Sequence, residues 1–310
     1  MIVAVLLLIL GCVLIYYGAE FVVGGASAIA RKLGITPLVI SLTVIALGTS
    51  LPEAFVSVTA ALKGTAGICV SNIVGSNIIN IALVLGVSCL IFPLKIDKKL
   101  LNFEVPFLII ITVILFFFCS DKTVSRYEGG VLFLLFLGFN YYVVKSAKNR
   151  EMPETTVIEE DKLTRSGVKI VCGFVMLSYG AFLLIDNSIS IATFFGVPKW
   201  IIGITVVAFG TSLPEMATSI IASIRKEGCI SVGTIIGSNI FNILFVIGIS
   251  ALITPLHLDL SSSSRIDFLF MIFFTVALFP LMRTKYLLEK LEGVILLSGY
   301  IGFVIWLFVR

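Results

Sequence analysis

Ten apolar stretches, each about as long as a bilayer is thick, decide most of what this chain can become. A transmembrane helix needs about 20 consecutive apolar residues. The stretches lie at about 2–27, 37–62, 69–92, 102–119, 127–145, 167–186, 197–223, 229–253, 266–282 and 290–309. Charged residues are only 13% of the chain, against roughly 25% in soluble domains. The sequence therefore predicts an all-α integral membrane protein with ten transmembrane helices, a multi-pass protein whose first partner is the lipid bilayer.

A single long polar segment, about 146–166, divides the ten stretches into five and five. It is rich in charged residues and too short for a folded domain, so we interpret it as a solvated linker. The predicted organisation is a first five-helix repeat at 1–145, a cytoplasmic linker at 146–166 and a second five-helix repeat at 167–310.

The lysines and arginines predict the orientation, because cytoplasmic loops carry an excess of basic residues. One side holds sixteen of them: Arg31, Lys32, Lys95, Lys98, Lys99, Lys145, Lys148, Arg150, Lys162, Arg165, Lys169, Arg225, Lys226, Arg283, Lys285 and Lys290. The other side holds six: Lys63, Lys122, Arg126, Lys199, Arg265 and Arg310. We expect the richer side to be cytoplasmic, which places both termini outside the cell membrane.

The two halves of the chain are copies of each other. The segment VIALGTSLPE at 44–53 matches VVAFGTSLPE at 206–215, and GSNIIN at 75–80 matches GSNIFN at 237–242, both at an offset of 162 residues. Because each copy has an odd number of spans, the second copy enters the membrane from the opposite side. Inverted repeats of this kind are typical of secondary transporters, which bind their substrates at the repeat interface.

The first motif predicts an interrupted helix at the centre of each repeat. Pro52 lacks an N–H, so the carbonyl of Gly48 loses its helical partner, and the proline disfavours a helical conformation at the residue before it. We expect the span to break near 48–52. Freed carbonyls at membrane depth are costly unless they are satisfied, and a bound cation would satisfy them.

Two glutamates, Glu53 and Glu215, are expected deep within the membrane, where a carboxylate is expensive and indicates function. Together with nearby hydroxyl and amide groups they form an all-oxygen set, which suits hard cations such as calcium and sodium and no soft transition metal. The hydroxyl and amide candidates are Thr49, Ser76, Asn80, Thr211, Ser238 and Asn242. An alternative interpretation is that Ser50-x-x-Glu53 and Ser212-x-x-Glu215 are only capping boxes of half-helices.

At these residues the chain resembles the sodium/calcium exchanger branch of the calcium/cation antiporter superfamily, as a prokaryotic member. The resemblance covers the whole ten-span plan and implies two inverted-topology repeats of five helices, with interrupted helices at the centre. It implies calcium and sodium ligands from both repeats, including the backbone carbonyls of Ala46 and Ala208. The implied set is Ala46, Thr49, Ser50, Glu53, Ser76, Asn80, Ala208, Thr211, Ser212, Glu215, Ser238 and Asn242.

The expected function is sodium-for-calcium antiport by alternating access, and a proton/calcium antiporter using the same glutamates is the alternative. Potassium-dependent members of the superfamily, and some prokaryotic exchangers, have Asp at the position of Asn242. Here Asn80 and Asn242 are both Asn, which resembles the potassium-independent branch. A channel would be expected to build its selectivity filter by ring symmetry, whereas this chain carries an internal inverted pair. An enzyme is the weakest hypothesis, because the sequence shows no catalytic dyad. We expect no cofactor besides the transported ions and no nucleic-acid partner, and a monomer is compatible with the sequence.

Overall fold

The computed structural model describes residues 2–147, 163–195, 208–258 and 262–309. The helices in these ranges are α1 Ile2–Leu33, α2 Pro37–Ile40, α3 Ala46–Thr49, α4 Leu51–Leu62, α5 Ala66–Ile78, α6 Gly86–Ile91, α7 Val105–Ser120, α8 Arg126–Ser146, α9 Leu163–Phe194, α10 Ala208–Thr211, α11 Leu213–Ile224, α12 Gly228–Phe241, α13 Gly248–Ile253, α14 Ser262–Arg283 and α15 Lys290–Val309. Short strands are β1 Leu94–Lys95, β2 Thr123–Val124, β3 Leu256–His257 and β4 Leu287–Leu288. Segments of π-helix at Ser41–Ile45, Ile79–Leu85 and Asn242–Ile247 join α2 to α3, α5 to α6 and α12 to α13, and a further one at Leu100–Glu104 leads into α7.

Eight of the described helical segments are long and apolar enough to cross a membrane, and the bent helix Pro37–Thr49 with Leu51–Leu62 brings the number to nine. The predicted stretch at 197–223 is described only in part. Its second half is the shorter apolar helix α11, while residues 196–207 lie outside the described residues. The same holds for most of the predicted linker, since α8 ends at Ser146 and α9 begins at Leu163.

The distribution of polar and apolar side chains is that of a protein in lipid. Large apolar side chains lie on the outside, such as Phe55 at 76% and Leu134 at 68% exposure. Carboxylates and amides lie inside, and Glu53, Glu215 and Asn80 are fully buried. The outer surface is therefore apolar. Such a surface is stable against the hydrocarbon of a bilayer and would be unfavourable against water.

The elements recur in the same order in both halves, and the halves are joined by their strands. β1 pairs antiparallel with β4, with Leu94 opposite Leu288, and β2 pairs antiparallel with β3, with Thr123 opposite His257. Each pair takes one strand from either half of the chain. Loops that the basic residues assign to the same side of the membrane are therefore in contact.

The predicted helix break is confirmed at Ser50. The chain bends by 46° between α3 and α4, and Ser50 itself leaves the helical conformation at φ −83°, ψ 6°. Ser212, between α10 and α11, has nearly the same backbone angles, φ −85° and ψ 5°. In both cases a proline at the second position of the following helix accounts for the break, because it cannot donate to the preceding turn.

Glycines allow α1 and α9 to pack antiparallel with their backbones in contact. A Cβ atom added to Gly18 would lie 2.9 Å from the carbonyl oxygen of Gly173, and one added to Gly11 would lie 2.9 Å from that of Gly180. Small residues at helix interfaces in membranes permit such close approach, which maximises van der Waals contact. The glycines of α1 are therefore needed for packing.

Candidate cation site

Glu53 and Glu215 each lie in the first turn of a half-helix that begins inside the protein. Glu53 is in α4 and Glu215 is in α11, and both side chains are 0% exposed. The amino-terminal end of a helix carries a partial positive charge, which stabilises a carboxylate placed there. The two breaks thus bring two acidic groups into the interior with a favourable backbone field around each.

Hydroxyl groups connect each carboxylate to the other half of the chain. The Ser50 hydroxyl donates to Oε1 of Glu215 at 3.0 Å, and the Ser212 hydroxyl donates to Oε1 of Glu53 at 3.5 Å. Neither serine makes a side-chain capping bond to its own helix. The capping-box interpretation of these motifs is therefore wrong, and each serine hydroxyl instead contacts the glutamate of the opposite half.

The predicted threonines are also buried at the junction of the halves. The hydroxyl oxygens of Thr49 and Ser238 are 3.3 Å apart, and Thr49 donates to the carbonyl of Ile45 at 3.1 Å. The Thr211 hydroxyl lies 3.5 Å from Oδ1 of Asn72, a residue that sequence reasoning did not include. The signal that could have found Asn72 is weak, because its counterpart at the 162-residue offset is a threonine.

Five predicted ligand residues present a buried polar oxygen that has no hydrogen-bond partner among the described residues. These atoms are Oε2 of Glu53, Oε2 of Glu215, Oγ of Ser76, Oδ1 of Asn80 and Oδ1 of Asn242. An unpartnered buried acceptor is costly, since it loses its hydration without a compensating bond. Oxygen atoms of this kind are the ligands that calcium and sodium take.

The resemblance also implies two backbone ligands, Ala46 and Ala208, and the structure describes the surroundings of Ala46 more fully than those of Ala208. The carbonyl of Ala46 accepts the backbone N–H of Ser50 at 3.1 Å and lies 3.4 Å from the Thr49 hydroxyl, so it retains its helical partner. Ala208 begins α10, but residues 196–207 immediately before it lie outside the described residues.

The glycines at the two breaks, Gly48 and Gly210, also leave room for α9 to pack against the broken helices. A Cβ on Gly48 would lie 2.1 Å from the ring of Phe174, and one on Gly210 would lie 2.2 Å from Cγ1 of Ile185. Both side chains belong to α9, which therefore covers both breaks. A larger residue at either position would have to displace the Phe174 ring or the Ile185 side chain.

Two further asparagines, Asn77 and Asn239, lie between the halves and were not among the predicted ligands. They are 1% and 0% exposed. Asn239 accepts from the amide of Asn80 at 3.1 Å, and Asn77 accepts from the amide of Asn242 at 3.0 Å. The signal was present in the sequence, because both stand in the repeated Gly-Ser-Asn-Ile motif.

A helical membrane protein with a buried, oxygen-lined acidic centre shared by its two halves has the features of a cation transporter. Comparison with known proteins makes this specific. The family model of the sodium/calcium exchanger protein matches residues 3–145 and again residues 166–309. The chain belongs to this family of cation antiporters, whose members are transporters rather than enzymes.

Relatives and solved structures agree with this family over nearly the whole chain. The putative antiporter CaxA of Alkalimonas amylolytica is 36% identical, covering 99% of this chain and 99% of its own length. The sodium/calcium exchanger MaX1 of Methanosarcina acetivorans is 30% identical, covering 98% of each chain. The structure of the sodium-calcium exchanger NCX_Mj soaked with sodium and calcium superposes with a TM-score of 0.86 at 30% identity, covering 98% of each chain.

Proposed function

We propose that this protein exchanges sodium for calcium across the cell membrane by alternating access, at a site to which both repeats contribute. The observation that carries the proposal is the reciprocal pairing of Ser50 with Glu215 and of Ser212 with Glu53. This pairing makes one centre out of two half-sites. The sodium/calcium exchanger MaX1 and the structure of NCX_Mj support sodium as the driving ion.

The charge of the centre suits exchange of these two ions. Glu53 and Glu215 are the buried carboxylates that accept from serines of the opposite half, and they supply the negative charge of the centre. One calcium ion or two sodium ions neutralise two carboxylates. A net charge in a low-dielectric interior is costly, so calcium and sodium bound together would leave the centre with an unfavourable positive charge. The two ions therefore compete for the same oxygens, and this competition couples their transport.

We propose that the two five-helix repeats are inverted in the membrane and together form ten spans. The strand pairing supports this, because β1 follows the third span of its repeat, while β4 follows the fourth span of the other repeat. These two loops lie on the same side only if the repeats enter from opposite sides. The separate match of one family model to each half supports the division into repeats.

Equivalent positions of the two repeats differ in exposure, which supports a conformation open towards one side. Leu51, the first residue of α4, is 47% exposed, whereas Leu213, its counterpart at the 162-residue offset, is 9% exposed. A groove of about 440 Å³ separates Leu51 from the α9 residues Phe174, Val175, Ser178, Tyr179 and Phe182. On the other side Arg225, at the end of α11, forms an ion pair with Glu20 of α1. We assign the closed α11 side to the cytoplasm and the groove to the exterior.

Cysteine labelling tests this orientation and conformation together. In a variant lacking the six native cysteines, Leu51→Cys is expected to react with a membrane-impermeant thiol reagent added outside intact cells, because position 51 is exposed and we assign its groove to the exterior. Leu213→Cys serves as the matched control and is expected to be protected, since α1 covers it. Thr155→Cys, in the linker, is expected to react only after the cytoplasmic side is exposed. Labelling of Thr155→Cys from outside would contradict the orientation, and equal labelling at 51 and 213 would contradict the conformation.

The coupling ion is tested by calcium flux in proteoliposomes. We expect calcium uptake when a sodium gradient is directed outward, and none when sodium is replaced by potassium or choline, because the site holds small hard cations in oxygen coordination. A sodium ionophore that collapses the gradient is expected to abolish uptake. Uptake driven by a pH gradient at equal sodium on both sides would instead identify the protein as a proton/calcium antiporter.

A further inference from the structure

We propose that Asn77 and Asn239 are positioning residues that keep the carbonyl oxygens, and not the amino groups, of Asn80 and Asn242 turned towards the bound cation. The proposal rests on the function proposed above for Glu53 and its partners. The four asparagines are at most 1% exposed, and each half of the chain supplies two of them.

The starting point is a pair of reciprocal bonds to the backbone. The amide nitrogen of Asn77 donates to the main-chain carbonyl of Asn239 at 3.3 Å, and that of Asn239 donates to the main-chain carbonyl of Asn77 at 3.3 Å. A main-chain carbonyl can only accept a hydrogen bond. The nitrogen and oxygen of these two side-chain amides are therefore assigned by chemistry, although such amides can often be flipped without changing their shape.

The orientation of the next amide follows from the first. Because the nitrogen of Asn77 is committed to the backbone, its Oδ1 faces away, where it accepts from Nδ2 of Asn242 at 3.0 Å. In the same way Oδ1 of Asn239 accepts from Nδ2 of Asn80 at 3.1 Å. Asn80 and Asn242 must each present nitrogen to their partner, since two carbonyl oxygens would repel each other.

The consequence is visible at the remaining atoms. Oδ1 of Asn80 and Oδ1 of Asn242 are buried and have no donor among the described residues, as is true of Oε2 of Glu53 and Oε2 of Glu215. A flipped amide would instead aim N–H groups at the place where a cation must bind. Partners that orient a metal ligand commonly change affinity when they are removed.

The arrangement also crosses between the halves. The residue that orients Asn80 of the first half is Asn239 of the second, and the residue that orients Asn242 of the second half is Asn77 of the first. Each half therefore completes the ligand geometry of the other. A relative displacement of the two halves at this point would loosen both ligands together.

The test compares Asn77→Leu with Asn140→Leu in proteoliposomes that exchange calcium under a sodium gradient. Leucine has nearly the shape of asparagine but no polar atoms, so Asn242 loses its orienting acceptor. The variant also removes the bond from Asn77 to the Asn239 carbonyl, but the bond that orients the ligand is the one from Asn242. We expect the apparent KM for calcium to rise about three- to tenfold, the range that loss of this one bond implies, with a smaller change in maximal rate. Asn140 donates to its own helix at the carbonyl of Phe136, away from the site, and its variant is expected to keep the wild-type KM.

A second variant separates orientation from general damage. In Asn242→Asp both terminal atoms are oxygens, so the side chain presents an oxygen to the cation in either orientation. Adding Asn77→Leu to Asn242→Asp is therefore expected to raise the KM by less than twofold, whereas a structural role would give the same rise in both backgrounds. If Asn77→Leu does not fold, Asn77→Ser, which is too short to reach Asn242, replaces it in both comparisons.

Failure of the positioning role can be told apart from failure of the proposed function. If the unmodified protein does not exchange calcium for sodium, the proposed function fails. If it does, and Asn77→Leu keeps the wild-type KM or shows an equal rise with Asp at position 242, the positioning role is overturned.

Discussion

Replacing Glu53 or Glu215 by glutamine is expected to abolish sodium-driven calcium exchange while the protein still folds. Each side chain is fully buried, so the charge that is removed has no substitute in solvent. Removing one partner of a buried ionic interaction costs about 3–5 kcal/mol, which corresponds to roughly a hundredfold or more in cation affinity. With a single carboxylate, a bound calcium ion would leave the centre with a net positive charge.

Glutamine keeps the shape of glutamate, and its carbonyl oxygen can still accept from Ser212 or Ser50. Folding is therefore expected to survive, which size-exclusion chromatography and thermal melting of the purified variants would check. The matched control is Glu128→Gln. Glu128 belongs to a capping box with Ser125 at the start of α8, where glutamine serves equally well. Exchange at the wild-type rate in either Glu53→Gln or Glu215→Gln would remove that residue from the site.

Replacing Gly18 by leucine is expected to destabilise the fold strongly and, as a consequence, to stop transport. A Cβ at this position would lie 2.9 Å from the carbonyl oxygen of Gly173 and 2.9 Å from the backbone nitrogen of Leu177. Backbone atoms cannot rotate aside, so α1 and α9 must separate. Overpacking costs about 1–3 kcal/mol even where flexible side chains can adjust, and here they cannot.

The effect should reach the site because α9 covers both helix breaks, at Gly48 through Phe174 and at Gly210 through Ile185. We expect the melting temperature of Gly18→Leu to be lower by several degrees. We expect its calcium exchange to fall to the background rate of protein-free liposomes. Gly302→Leu is the control, since a Cβ on this α15 glycine meets no heavy atom within 4 Å in the described part of the chain. A Gly18→Leu protein that melts and transports like the unmodified one would show that α1 and α9 are not held together by backbone contact.

The residues of the candidate site could be singled out from the sequence because they occur twice. Glu53 and Glu215, and likewise Asn80 and Asn242, stand at the same offset within matching motifs. A polar residue retained at the same place in both copies of an apolar segment indicates a shared role. Asn77 and Asn239 carry the same signal, but their bonds to each other's backbone and to Asn80 and Asn242 depend on the packing of the two halves.

The interpretation of Ser50 shows what pattern alone could not resolve. Ser-x-x-Glu is a capping motif by its spacing, and at Ser125 the same pattern does cap a helix. At Ser50 the hydroxyl is 3.0 Å from Glu215, which is 165 residues away. The two outcomes differ only in which chain segment lies opposite the serine, and local sequence does not contain that information.

The sequence by itself determined the membrane environment, the division into two copies and the position of each helix break, because these depend on apolar length, on repetition and on the missing N–H of proline. Only the tertiary structure decided which groups face each other across the repeats, that α9 packs over Gly48 and Gly210, and which atom of each buried amide lacks a partner among the described residues. The physical reason is that hydrogen bonds and close contacts between distant segments depend on distances of a few ångströms, which arise only when α1, α9 and the half-helices are packed together.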